Sequence, residues 1–292
     1  MTSTQHAGST FRSPEVIGAH RHGYHLRHDE LGPCGHFASS VLTGVLQEAA
    51  ADGSASRGYP FAYYARERSF WVIRRITFRH DRPLRYGDSL EVTTWVPRVG
   101  KTSPMRESRF DSASRGETIA RVRTHWVYVD AATGHPKPIP DELREAFAPT
   151  GEALEELLPV PEEPLDERRH HWSEERTVEP GDVDGSGHLK CGRYVAWLED
   201  LLARAFAAAG AAPGTTSLAS FDLQLLSSAR CGDRVLLIAQ PDEVWKVVMI
   251  APDGRVVARA ALWPRCLDAA RTTFVDVSAA LAERLRSTTS PR

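Results

Sequence analysis

The sequence predicts an α+β fold built twice over, each half a long amphipathic helix followed by several antiparallel strands. Two observations carry this. The same signals recur in the same order in both halves: Gly35-His36, then Gly87-Asp88, then Ala120-Arg121 running to Trp126, against Gly187-His188, Gly232-Asp233 and Ala258-Arg259 running to Trp263. The period of the apolar residues also changes within each half from helical to strand-like.

The helices come first. Val41, Leu42, Val45, Leu46, Ala49 and Ala50 share one helical face, and Tyr194, Val195, Leu198, Leu201, Leu202, Ala205 and Phe206 share another. The strands follow. Residues 69–78, 89–96 and 117–129, then 220–226, 234–239, 244–250 and 255–263, are rich in β-branched and aromatic side chains. A lone helix with an apolar face must bury it, and a sheet wrapped around the helix does so. That is the tandem, or double, hot-dog arrangement. It divides the chain into an N-terminal unit at 1–148, a connector at 149–168, a C-terminal unit at 169–275 and a tail at 276–292. The Pro- and Glu-rich connector has room for one short helix at Glu152–Leu158. The two sheets are expected to pair edge to edge as an internal pseudo-dimer, since open edges invite aggregation. A further homodimer is left open.

Composition narrows the function. The 292 residues are 41% hydrophobic and 25% charged, as in a folded globular protein, and the net charge of −2 comes with no basic block to track a phosphate backbone. Nucleic acid is therefore not an expected partner. The cysteines at 34, 191, 231 and 266 form no CxxC, so neither a metal nor another cofactor is expected. The opening MTSTQHAGSTFRSPEV lacks an apolar core, and no run is long enough to span a bilayer, so a cytoplasmic protein without membrane contact is expected.

The segment GDVDGSGHLKCGRYVAWLED, 181–200, resembles the D-x-D-x-N-x-H-V-N-N-x-x-Y-x-x-W segment of acyl-ACP thioesterases of the plant FatA/FatB type and their bacterial relatives. Residues 70–110 and the segment HPKPIPDELREAF, 135–147, are similar to that family's N-terminal half. The resemblance implies hydrolysis of an acyl thioester carried by acyl carrier protein or coenzyme A. It places the catalytic residues in the second half, the acid on Asp184 and the histidine on His188. The family's Asn falls on Ser186, its Glu-Cys-Gly on Arg230-Cys231-Gly232, and its Asn-Asn on Lys190-Cys191. These departures keep a hot-dog cyclase, dehydratase, acyl transferase or non-catalytic acyl binder in view.

The chemistry of the residues fits in outline. A helix N-terminus offers free N–H groups to an oxyanion, and a nearby carboxylate can take a proton from water or attack the carbonyl. Asp184 could equally cap a turn, and Ser186 could hold water or simply turn the chain. His188 could orient the carboxylate or be an ordinary loop histidine. Cys231 is either a nucleophile or, better, a small buried hydrophobe. A rival set lies in the first half: Asp29, His36 and Glu48, the last placed near the C-terminal end of its helix. The acyl chain is expected between the halves against Phe70, Trp71 and Val72. Arg74, Arg75, Arg79, Arg82 and Arg85 either meet an acidic carrier or a coenzyme A phosphate, or form a solvated strand face.

Overall fold

In the computed structural model, residues 16, 18–32, 35–155, 157–159, 165–166 and 171–288 are described. The first half contains β1 (His20–His25), α1 (Ser39–Ala55), α2 (Phe61–Arg66), β2 (Ser69–His80), β3 (Ser89–Val99), β4 (Pro104–Ser112), β5 (Glu117–Asp130) and α3 (Asp141–Ala146). The second contains β6 (Trp172–Thr177), α4 (Cys191–Ala208), β7 (Thr216–Leu225), β8 (Arg234–Gln240), β9 (Trp245–Ile250), β10 (Val256–Leu267), β11 (Phe274–Val275) and α5 (Ala279–Ser287). Residues 152–155 of the expected connector helix are not helical, and Glu156 and Cys34 lie outside the described residues.

The strands form one antiparallel sheet in the order β1-β3-β4-β5-β2-β7-β10-β9-β8-β6, with β11 pairing on β10. Counted outward from the β2–β7 junction, the halves run 2-5-4-3-1 and 7-10-9-8-6. Each strand thus has its counterpart five places later in the chain, the topology of a duplicated unit joined edge to edge about a pseudo-twofold axis. The sheet edges expected to pair do so, with Phe78 opposite Phe221 and Thr77 opposite Asp222. On the core face the Phe78 and Phe221 rings stack at 5.3 Å. On the opposite face Arg75 Nε donates to Asp222 at 2.8 Å and Thr77 Oγ1 donates to the same carboxylate at 2.5 Å.

Both long helices bury the faces their periodicity announced. Leu42, Val45, Leu46, Ala49 and Ala50 of α1, and Tyr194, Val195, Leu198, Leu201, Leu202, Ala205 and Phe206 of α4, are buried. All of these but Ala50 join side chains from the sheet's inner face in one core. The helices pack on each other as well as on the sheet, closely enough that a Cβ at Gly192 would lie 3.0 Å from the Ser40 carbonyl oxygen. No described helix is long and apolar enough to cross a membrane.

Candidate active site

The loop ahead of α4 is a tight turn fixed by its own hydrogen bonds. Asp184 N donates to His188 O at 2.9 Å and Gly187 N donates to Asp184 O at 2.9 Å, with Gly187 at φ +78°, where a side chain would be strained. Inside this turn the Asp184 carboxylate accepts from Ser186 N at 2.8 Å and from Ser186 Oγ at 2.5 Å. Ser186 Oγ also stands 3.2 Å from His188 Nδ1. Asp184, Ser186 and His188 thus form one linked cluster, Asp184 and Ser186 exposed and His188 partly so. The turn is pinned to the second half through Leu189 N to Ala229 O and a β-bridge between His188 and Arg230.

A cavity of about 490 Å³ opens beside it. Its walls are Gln47, Glu48, Ala50, Ala51 and Ser54 of α1, Phe61 and Tyr64 of α2, Phe70 and Trp71 of β2, and Ile139, Leu143 and Phe147 around α3. Asp184 is the one lining residue from the second half, and the cavity lies inside the first half rather than between the halves. Phe70 and Trp71 line it; Val72 does not. Glu48 and Asp184, read from the sequence as rivals in separate halves, both line this one cavity, and both are exposed. Glu48 sits mid-helix in α1, not near its C-terminal end.

The other first-half candidates stand elsewhere. Asp29 is exposed, 3.9 Å from Arg27. His36 is 6% exposed, and its Nε2 is 2.7 Å from the Arg271 carbonyl oxygen. Cys231 is exposed on the β7–β8 turn, not buried. Among the arginines of β2 and its exit, Arg75, Arg79 and Arg82 face Asp222, Asp81 and Glu117, which favours the solvated-face reading for them. No described group of His, Cys, Asp or Glu is arranged to hold a metal ion.

The pseudo-twofold explains why only one of the two equivalent loops is equipped. In the first half Gly32 N donates to His36 O at 2.8 Å and Gly35 N to Gly32 O at 2.9 Å, the same turn as Asp184–His188, with Gly35 at φ +77°. Glycine stands there at the position of Asp184. The helix ends differ too. Glu199 of α4 reaches across and accepts from Ser39 N at 2.7 Å and Ser40 N at 3.4 Å, closing the N-terminus of α1. The residue equivalent to Glu199 in α1 is Gln47, on the cavity wall. The N–H groups of Cys191 and Gly192 at the start of α4 have no partner among the described residues. The second half alone therefore combines an open helix N-terminus with a preceding turn whose carboxylate lines an apolar cavity.

Glu199 was not singled out from the sequence; its signal is visible only once the halves are aligned at the 152-residue offset that superimposes His36 on His188. Burial pushes its carboxyl up to about 7, against the lowering effect of the Ser39 and Ser40 donors. The unfolded chain releases this proton near 4.5 and the folded chain near 7, so stability falls as pH rises between the two, by at most about 1.4 kcal/mol per pH unit for one proton. Glu199→Gln keeps the acceptor and removes the titration. Urea unfolding at pH 5, 6 and 7 is expected to show this slope in the wild type and a flatter profile in the variant.

The comparisons agree with this architecture. The structure matches the 12:0-ACP thioesterase from Umbellularia californica with a TM-score of 0.72 at 19% identity, covering 85% of this chain and 98% of that one. It matches an acyl-ACP thioesterase from Bacteroides thetaiotaomicron equally, at 0.72 and 18% identity, with the same coverages. The chain is a double hot-dog protein. Residues 18–147 match the family model described as the acyl-ACP thioesterase N-terminal domain. The resemblance to that family thus holds by sequence and by fold. A chloroplastic acyl-(acyl-carrier-protein) hydrolase of Cuphea viscosissima and a chloroplastic palmitoyl-acyl carrier protein thioesterase of Cuphea hookeriana are each 25% identical over 193 residues, 61% of this chain. The chain covers 45% of the length of each.

Proposed function

We propose that the protein hydrolyses an acyl thioester carried on the phosphopantetheine arm of acyl carrier protein, with coenzyme A as a second carrier. The observation that supports this most is the Asp184–Ser186–His188 cluster, whose carboxylate lines an apolar cavity and whose turn leads into the unpartnered N–H groups of α4. The acyl chain enters the first-half cavity, and the thioester carbonyl oxygen turns to Cys191 N and Gly192 N, where the helix end stabilises developing negative charge. Water attacks the carbonyl carbon and gives its proton to the Asp184 carboxylate. The carbon–sulfur bond then breaks, and the thiolate leaves with a proton. His188, through Ser186, holds the carboxylate in place. Arg230, standing where the resembling family has glutamate, leaves Asp184 as the base.

Thiol release from purified protein, followed with a thiol dye on a panel of acyl-ACP and acyl-CoA thioesters, tests this; free acid in equimolar amount is the expected product by mass. A product lighter by one water, or a ring, would move the protein to the dehydratase or cyclase class. Within the panel, Ala51→Phe is expected to shift preference toward shorter acyl groups. Ala51 is an exposed residue on the cavity wall, so its melting temperature should change little. Unchanged preference in a folded variant would place the chain elsewhere.

A further inference from the structure

The cavity walls are mostly apolar but include a buried cation. Arg106 of β4 lines it and is 7% exposed. Its Nη1 donates to Thr94 Oγ1 at 3.3 Å, and its guanidinium lies 6.0 Å from the Phe147 ring centroid. No carboxylate among the described residues pairs with it. Glu107 pairs instead with Arg123 at 2.7 Å on the other face of the sheet, and Asp52 with His22 at 2.6 Å; Glu48, the other acid of α1, lines the same cavity at an exposed position. Arg57, a second cation, stands over the same Phe147 ring at 5.6 Å. The guanidinium packs closely on α1 at this point: a Cβ at Gly53 would lie 3.3 Å from Arg106 Nη1, tighter than an ordinary contact.

Burial pushes the Arg106 guanidinium down to about 10, with Arg57 acting in the same sense, so it stays charged at neutral pH. A buried cation is costly unless an anion or several acceptors meet it, and an arginine fork binds a carboxylate through paired, charge-assisted hydrogen bonds. Gly53, facing Arg106, is five residues beyond Glu48 in α1, about 7.5 Å along the helix axis. Asp184, Glu48 and Arg106 all line the one cavity of about 490 Å³, so a short acyl group held in it with its thioester at Asp184 can bring its far end to Arg106.

We propose that Arg106 receives a carboxylate at the far end of the acyl group, so that the preferred substrate is a short acyl thioester ending in a carboxylate rather than a plain hydrocarbon. The thioester part of this statement rests on the hydrolase reading above; the recognition of the carboxylate does not.

Equilibrium binding to the wild-type protein separates the two. The probes are S-octylpantetheine, a thioether that cannot be hydrolysed, the same thioether ending in a carboxylate, and the methyl ester of the latter. The carboxylate probe is expected to bind about tenfold or more tightly than the other two, the advantage of a desolvated charged pair. Arg106→Met should abolish the preference and Arg106→Lys should retain part of it. Equal or weaker binding of the carboxylate probe to the wild type overturns the proposal, whether or not the variants fold. Thiol release from the matching thioesters is scored separately: its absence from every thioester, with the binding preference intact, removes the hydrolase reading and leaves the recognition standing.

Discussion

Asp184→Asn is expected to lower turnover on the best acyl thioester by about 10²–10⁴, the contribution of a positioned general base, while the melting temperature stays close to wild type. The geometry makes the substitution a clean one. Asp184 accepts from Ser186 N and Ser186 Oγ within an exposed turn, and an asparagine side chain offers the same carbonyl oxygen to those donors. What it cannot do is take the proton of the attacking water. Glu48→Gln is the matched comparison, because Glu48 lines the same cavity from α1. The account expects Glu48→Gln to retain most activity. Loss of activity in Glu48→Gln with retention in Asp184→Asn would assign the base to α1. Activity in both variants would leave helix-end polarisation without a base as the mechanism.

Phe221→Ala is expected to cost about 3–5 kcal/mol in urea unfolding. Phe221 and Phe78 are each fully buried and stack at 5.3 Å across the β2–β7 junction, so truncation removes both apolar area and an aromatic pair at the seam of the two halves. The consequence reaches the site, because Asp184 belongs to the second half and the cavity to the first. Activity and the far-ultraviolet signal should therefore be lost over the same urea range. A variant as stable as wild type, or activity surviving after the sheet has separated, would contradict the seam's role. Phe221→Leu, which keeps volume at this position, should cost much less.

The parts of the fold legible in the sequence are those in which a local period reports burial. The α1 and α4 faces and the strands β2, β3, β5, β7, β8, β9 and β10 fall where β-branched, aromatic and helically spaced apolar residues place them. Strands β1 and β6, reading HRHGYH and WSEERT, lie at the two outer edges of the sheet, where half-exposed polar residues erase the pattern. Strand β4 is hidden for a different reason. Its buried positions include Arg106, Glu107, Ser108, Arg109, Asp111 and Ser112, several of which are partnered, Arg106 by Thr94, Glu107 by Arg123 and Asp111 by Thr118. Burial here goes with polar pairing, and hydropathy cannot register it.

The site divides in the same way. Asp184, Ser186 and His188 lie within five residues and make their cluster through one turn, so a local motif and its resemblance to the family's segment were enough to suggest it. The lining of one cavity by both Asp184 and Glu48 and the closure of α1 by Glu199 span 136 and 160 residues of chain respectively. These pairings exist only because two halves pack about a pseudo-twofold axis. Arg106 carries no local signal at all, since its meaning depends on the absence of a carboxylate that only the folded surroundings can reveal.

A structure of the protein with S-octylpantetheine bound tests the central claim most directly. The account predicts the alkyl chain between α1 and the first-half sheet, running toward Arg106, with the sulfur at the exposed end beside Asp184 and the start of α4. A chain lodged in the second half, or a sulfur remote from Asp184 and from Cys191 and Gly192 N–H, would contradict it.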